Sequence, residues 1–110
     1  MSLSTQVLDI ARGLPAPDLD VTLVAIDGAQ ETELARSRTD NDGRIAAPFG
    51  GVLEAGTYEL RFRVGEYLRQ TTTPSFYDEI PIRFKIHDPS ANYHVPLLLT
   101  PWGYSTYRGS

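Results

Sequence analysis

Residues 93–107 read YHVPLLLT-PWG-YSTY, two runs rich in apolar, aromatic and branched residues with proline and glycine between them. Proline fixes φ and glycine frees it, so the stretch predicts a strand, a turn and a second strand. Similar runs recur, with turn residues at intervals of about 8 to 12 positions, as in an all-β sandwich or barrel. The eight predicted strands are Ser4–Ile10, Asp20–Ile26, Glu33–Arg38, Arg44–Ala46, Thr57–Val64, Ile80–His87, Tyr93–Thr100 and Tyr104–Tyr107.

Helical periodicity is nearly missing, and only Glu66–Thr73 is predicted as a short helix. Pro81 and Pro96 fall inside two of the predicted strands. Because proline cannot donate a hydrogen bond to a β-ladder, each is predicted to lie in an edge strand or at a bulge.

Composition favours a single domain over residues 1–110, with one core. Cysteine is absent, which excludes disulfides and cysteine-ligated zinc. Without a long apolar run or a basic, hydrophobic leader, we expect a cytoplasmic protein with no membrane partner. The net charge of −4 and the scattered arginines argue against nucleic acid.

The segment Thr39–Gly43 clusters carboxylates before a glycine, as calcium loops do. If Gly43 is placed at loop position six, Arg38 takes position one and Phe49 takes the place of the bidentate glutamate. The segment is therefore predicted to be a hairpin turn. His87 and His94 are the only histidines, and no carboxylates stand at ligand spacing from them, so neither a metal nor another cofactor is expected.

Several polar residues lie in strands that are predicted to build the β-sandwich, and no motif considered so far accounts for them. Each has an ordinary explanation, because strand histidines usually hydrogen-bond a neighbour, arginines beside turns lie in solvent and strand tyrosines pack. On residue chemistry alone these explanations are favoured. The residues are Gln6, Arg44, His94, Ser105, Tyr107 and Arg108.

Three stretches change that weighting: LSTQVLD at 3–9, TDNDGR at 39–44, and YHVPLLL at 93–99 running on to YSTYRGS at 104–110. They resemble the 5-hydroxyisourate hydrolases of the transthyretin-like family, whose sequences end in Tyr-Arg-Gly-Ser. The resemblance covers essentially the whole chain. It implies an all-β, transthyretin-like (prealbumin-like) eight-stranded β-sandwich with one short helix.

The family opens the ring of 5-hydroxyisourate by hydrolysing a cyclic amide during urate breakdown, using two histidines, an arginine and the terminal tetrapeptide. Arg44 and His94 match that motif, whereas Gln6 stands where the family has its first histidine. Asn92 also replaces a histidine often found before Tyr93. The resemblance implies catalytic roles for His94, Arg44, Gln6, Tyr107 and Ser110, and substrate binding by Arg44, Arg108, Leu8, Pro96, Ser105 and Tyr107.

Side chains two apart on a strand face the same way. Gln6 with Leu8, His94 with Pro96 and Leu98, and Ser105 with Tyr107 are therefore predicted to form three single-faced rows. The resemblance implies that these rows line a channel in a homotetramer, a dimer of dimers, that binds a small heterocyclic substrate.

Glutamine can hold a water by hydrogen bonds but cannot take its proton at neutral pH. The first hypothesis is a hydroxyisourate hydrolase in which His94 alone handles protons. The second is an enzyme of this fold redirected to another cyclic amide, imide or heterocycle. The third is a non-catalytic small-molecule carrier, which ranks last because Arg44, His94 and Arg108 are retained.

Overall fold

Two β-sheets packed face to face form the architecture of the computed structural model, which describes residues 2–110. Within those residues there are nine strands and one helix. They are β1 (Ser2–Asp9), β2 (Leu14–Pro15), β3 (Asp20–Asp27), β4 (Gln30–Arg38), β5 (Arg44–Ile45), β6 (Gly56–Phe62), α1 (Val64–Gln70), β7 (Ile80–Ile86), β8 (Asn92–Leu99) and β9 (Tyr104–Thr106).

The first sheet has the order β2-β1-β8-β9, with β5 also paired to β1, and the second has the order β4-β3-β6-β7. The pairing of β1 with β8 is parallel, and every other strand pair is antiparallel. The parallel pair brings the beginning of the chain beside its last third, so that residues far apart in sequence share one surface.

Strand β1 shows how the sequence divides between core and surface. Leu3 and Val7 are fully buried between the sheets, whereas Gln6 and Leu8 lie half-buried on the outer face. The period of two in a strand produces this division. The core is completed from the second sheet by buried residues that include Leu23, Leu60 and Phe62.

The all-β sandwich with one short helix is confirmed, and all eight predicted strands are present. The structure adds β2, which is not among the eight predicted strands. The helix starts two residues earlier and ends three residues earlier than predicted. Burial of Val64, Tyr67 and Leu68 fixes where it lies, and the positive φ of Thr72 (56°) prevents its continuation.

The prediction for Pro81 is confirmed, because β7 is an edge strand of the second sheet. The prediction for Pro96 is wrong, because β8 lies inside the first sheet and carries no bulge there. Pairing between β8 and the last segment of the chain stops at Leu97–Thr106 and resumes, in the same register, at His94–Gly109. The sheet thus tolerates an internal proline through a gap in one ladder, where the Thr106 hydroxyl donates to the Pro96 carbonyl at 2.8 Å.

The predicted hairpin at Thr39–Gly43 is also wrong. A turn is present, but β4 pairs with β3 and β5 pairs with β1, so it carries the chain from one sheet to the other. Gly43 has φ of +73°, and a Cβ there would lie 2.4 Å from the carbonyl oxygen of Val7. Glycine is needed at this crossing, and the crossing fixes the position of the next residue, Arg44.

Candidate functional site

The outer face of the first sheet brings together residues from four segments of the chain. Gln6 pairs with Arg44 on one side and with Pro96 on the other. Ser4 pairs with His94 in the parallel ladder, two residues before the Gln6–Pro96 pair and on the same side of the sheet. Gln6, Arg44 and His94 therefore occupy neighbouring positions on one surface, which we call the site face.

The pairs Ser4–His94 and Gln6–Pro96 form two rows across the site face, and the third row, which begins with Leu8, is more apolar. Leu8 pairs with Leu98, and Ser105 of β9 lies directly opposite Leu98 on the other side. These pairs confirm that β1, β8 and β9 contribute side chains to the same face. Tyr107 follows in the same register, opposite Pro96, and is 58% exposed.

His94 is a half-buried polar side chain of the site face with close neighbours on both sides of its ring. Its Nδ1 lies 2.8 Å from the hydroxyl oxygen of Ser4. On the opposite side of the ring, a Cβ built on Gly109 would lie only 2.7 Å from Cδ2 of His94. The ring thus sits between a hydroxyl and a glycine that has no room for a side chain.

The pKa of His94 is lowered from its ordinary value, first by burial and then by the positive charge of Arg44. Both effects disfavour the imidazolium form. At neutral pH the ring is therefore uncharged and can accept a proton.

Arg44 and Gln6 are placed by the turn that precedes β5. One carboxylate oxygen of Asp40 accepts hydrogen bonds from the backbone N–H groups of Asp42 and Arg44, each at 2.9 Å. Nε2 of Gln6 donates to the carbonyl oxygen of Asp42 at 3.2 Å. The amide of Gln6 is thereby held by its nitrogen, and its carbonyl oxygen remains available as an acceptor.

The end of the chain returns to the site face through its backbone. Gly109 N–H donates to the carbonyl oxygen of His94 at 2.7 Å, and Ser110 follows as an exposed residue. The terminal serine is consequently held one residue away from the backbone contact with His94.

Arg108 is the predicted site residue that the structure does not bring to this face. Its guanidinium donates to the carbonyl oxygen of Asn92 at 3.1 Å and lies 4.5 Å from the centre of the Tyr93 ring. Tyr93 belongs to the core, on the opposite side of β8. The substrate-binding role of Arg108 stays a prediction.

Ser4 is the residue that sequence reasoning missed. It lies in the quoted motif LSTQVLD, but no role was assigned to it. Its position two residues before Gln6 was the available signal, because that spacing puts both side chains on one face.

The site face is open in a single chain. A cavity of about 610 Å³ lies elsewhere, between β7 and the other side of β8, and is lined by residues that include Phe84, Lys85, Tyr93 and Arg108. Gln6, Arg44 and His94 do not line it, whereas Tyr107 contributes to its wall. A substrate bound to the site face would need a further surface to enclose it.

Within residues 2–110 no group of three or more acidic or histidine side chains is placed to hold a metal ion. No helix in that range is long and apolar enough to cross a membrane.

The comparisons with known proteins agree with this architecture. A model of the HIUase/Transthyretin family matches residues 3–109. A 5-hydroxyisourate hydrolase of Ralstonia nicotianae is 47% identical, over 98% of this chain and 97% of its own. Klebsiella pneumoniae 5-hydroxyisourate hydrolase is 37% identical and superposes with a TM-score of 0.88 over 100% of both chains. Sea bream transthyretin in complex with thyroxine is 25% identical, with a TM-score of 0.90 over 99% of this chain and 95% of its own.

Proposed function

The chain belongs to the HIUase/Transthyretin family, and from that premise we propose that it hydrolyses the cyclic amide of 5-hydroxyisourate in urate degradation. The observation that carries the proposal is the placement of an uncharged His94 in the row next to Arg44 and Gln6, with the Tyr-Arg-Gly-Ser end bonded to its backbone. The hydrolases of Ralstonia and Klebsiella support the choice of substrate.

The reaction adds a water oxygen to the ring carbonyl carbon and then breaks the bond from that carbon to nitrogen. The proton that the water loses ends on the departing nitrogen. The residues must therefore accept a proton, stabilise negative charge on the carbonyl oxygen and return the proton.

His94 carries the proton in both directions. Its lowered pKa keeps it uncharged at neutral pH, so that it takes a proton from water as the new bond forms. The resulting imidazolium is an acid strong enough to protonate the departing nitrogen.

Arg44 supplies the positive charge that the carbonyl oxygen needs in the transition state. Its guanidinium is exposed at the edge of the site face, and its backbone is fixed by Asp40. An arginine presents several donors in a rigid plane, which suits an oxygen-rich heterocycle. Tyr107 and Ser110 contribute hydroxyls, while Leu8, Pro96 and Ser105 form the floor beneath the substrate.

Gln6 orients the attacking water. With Nε2 donated to Asp42, its Oε1 can accept a hydrogen bond from the water but cannot remove the proton. Orientation without activation predicts a working but slowed enzyme. General acid–base catalysis is typically worth about 10² to 10⁴ in rate, which sets the scale of the deficit.

The proposal includes a homotetramer, a dimer of dimers, in the cytoplasm. Near the Leu8–Leu98 end of the site face large apolar side chains are exposed, among them Ile10 at 53% and Trp102 at 67%. An apolar patch of this kind favours burial by another protein surface, and closed two-fold assembly is the usual solution. A second site face packed on the first would also enclose the substrate.

We expect light scattering after size-exclusion chromatography to report about four chains, as two paired dimers would give. Leu98→Glu should reduce the assembly to dimers, because it buries a charge in the proposed interface. Leu34→Glu is the matched control, since Leu34 is 41% exposed on the second sheet. A monomeric wild type, or equal effects of the two variants, would contradict the proposed interface.

The function is tested by following the ultraviolet absorbance of hydroxyisourate prepared freshly from urate, with and without the protein. Turnover above the buffer rate is expected. If the wild type gives none, the same assay on other cyclic amides and imides tests the redirected enzyme, which Gln6 favours as the second candidate. Stoichiometric binding of heterocycles without turnover would instead support a carrier, as in the complex of sea bream transthyretin with thyroxine.

A further inference from the structure

The hydroxyl of Ser4 is the side-chain group that hydrogen-bonds the ring of His94 within residues 2–110. The two residues face each other across the parallel ladder of β1 and β8. Their backbones are therefore fixed by the sheet, and the side-chain contact of 2.8 Å does not depend on a loop.

The position of the ring determines which nitrogen meets the substrate. The Nδ1 side faces Ser4 and the Cδ2 side faces Gly109, so both flanks of the imidazole are occupied. The remaining edge, formed by Cε1 and Nε2, is the part of the ring most distant from the atom that joins it to the backbone. Nε2 is consequently the nitrogen that reaches a molecule bound on the site face.

A proton acceptor at Nε2 requires the proton of the neutral ring to sit on Nδ1. Which nitrogen carries it is set by the hydrogen bond that the other one makes. A serine hydroxyl can accept from Nδ1–H, and it can do so equally when the ring is doubly protonated. The same contact thus serves His94 before and after it takes a proton.

We propose that Ser4 is a positioning residue whose hydroxyl accepts a hydrogen bond from Nδ1–H of His94 and leaves Nε2 unprotonated towards the site face. The catalytic part of this inference rests on the proposed hydrolase function. Because Gln6 cannot share the proton transfers, His94 must make both, and the tautomer of its ring matters more than it would beside a second histidine.

The kinetic test compares Ser4→Ala with Ser4→Thr and Ser2→Ala. Loss of one hydrogen bond to the ring should lower kcat about three- to tenfold with KM little changed, since Arg44 is untouched. Threonine keeps the hydroxyl and should restore most of the rate. Ser2→Ala is the matched control, because Ser2 faces Asn92 two pairs along the same ladder, on the same side of the sheet, and bonds its side chain at 3.0 Å.

A second measurement does not depend on turnover. The ¹⁵N chemical shifts of the imidazole nitrogens distinguish the two tautomers, and with His87→Ala the signals of His94 are assigned without ambiguity, because the chain has two histidines. The wild type should show a protonated Nδ1 and a bare Nε2. Ser4→Ala should move both shifts towards a tautomer mixture, and Ser4→Thr should not.

The two measurements separate the two proposals. A wild type that shows the expected tautomer but does not hydrolyse hydroxyisourate would overturn the function and leave the role of Ser4 in place. A wild type with the proton on Nε2, or a Ser4→Ala variant whose His94 shifts are unchanged, would overturn the role of Ser4 whatever the activity.

Discussion

His94→Ala is expected to lower hydroxyisourate hydrolysis by about 10² to 10⁴, because it removes the group that carries protons on the site face near neutral pH. Steady-state rates with freshly generated substrate measure the loss. His87→Ala is the control, since His87 is exposed and lies away from the site face. Equal rates for His94→Ala and the wild type would show that another group acts as the base.

The wild-type pH profile adds a second check on His94. Burial and the charge of Arg44 lower its pKa, so the uncharged form persists to a lower pH than for a free histidine. The acidic limb of kcat/KM should therefore have its midpoint below the ordinary value of 6.5. An acidic limb centred above that value would conflict with the assignment.

Gln6→His is expected to raise hydroxyisourate hydrolysis by about 10² to 10⁴, because it restores a side chain that takes a proton from water. The gain should appear mainly in kcat, since Arg44 is unchanged. The exchange places an imidazole in a strand whose neighbours, Arg44 and Pro96, are already fixed by pairing. Initial rates at saturating and limiting substrate separate the two parameters.

Two further variants make this test specific. Asn92→His puts a histidine on the same face beside Ser2, two rows from Gln6, and should change the rate little. Gln6→Met keeps the length of the side chain without the amide and should fall below the wild type if Gln6 orients water. A loss of activity in Gln6→His would mean that the glutamine is a working part of a different mechanism.

Much of this molecule could be predicted because its strands obey a period of two. Residues two apart on β1 and on β8 share a face, and the parallel pairing then aligns Gln6 with Pro96 and Leu8 with Leu98. The period of two does not specify which strands pair with each other, however. The family resemblance was needed to join Arg44, from a two-residue strand, to Gln6.

What could not be predicted depends on single contacts in three dimensions. Arg108 follows a strand of three residues, and its direction is set by the ring of Tyr93 and the carbonyl of Asn92. Ser4 gains its importance from one distance to His94, which no pattern in the sequence encodes. The helix begins at Val64 because the core buries that residue, although its β-branched side chain does not favour helix.

The gap in pairing at Pro96 also determines what kind of change the C-terminal segment can accept. A bulge would shift the phase of the chain by one residue, whereas the gap preserves it, so that Ser105 and Gly109 emerge on the site face and Arg108 on the other. Adding one residue between Thr106 and Gly109 would exchange these two faces and place Arg108 opposite His94 in place of glycine, whereas removing one would place Ser110 there. Adding two would restore the alternation. The segment therefore accepts a change of length only by an even number of residues. This constraint belongs to the segment as a whole and not to any one side chain in it.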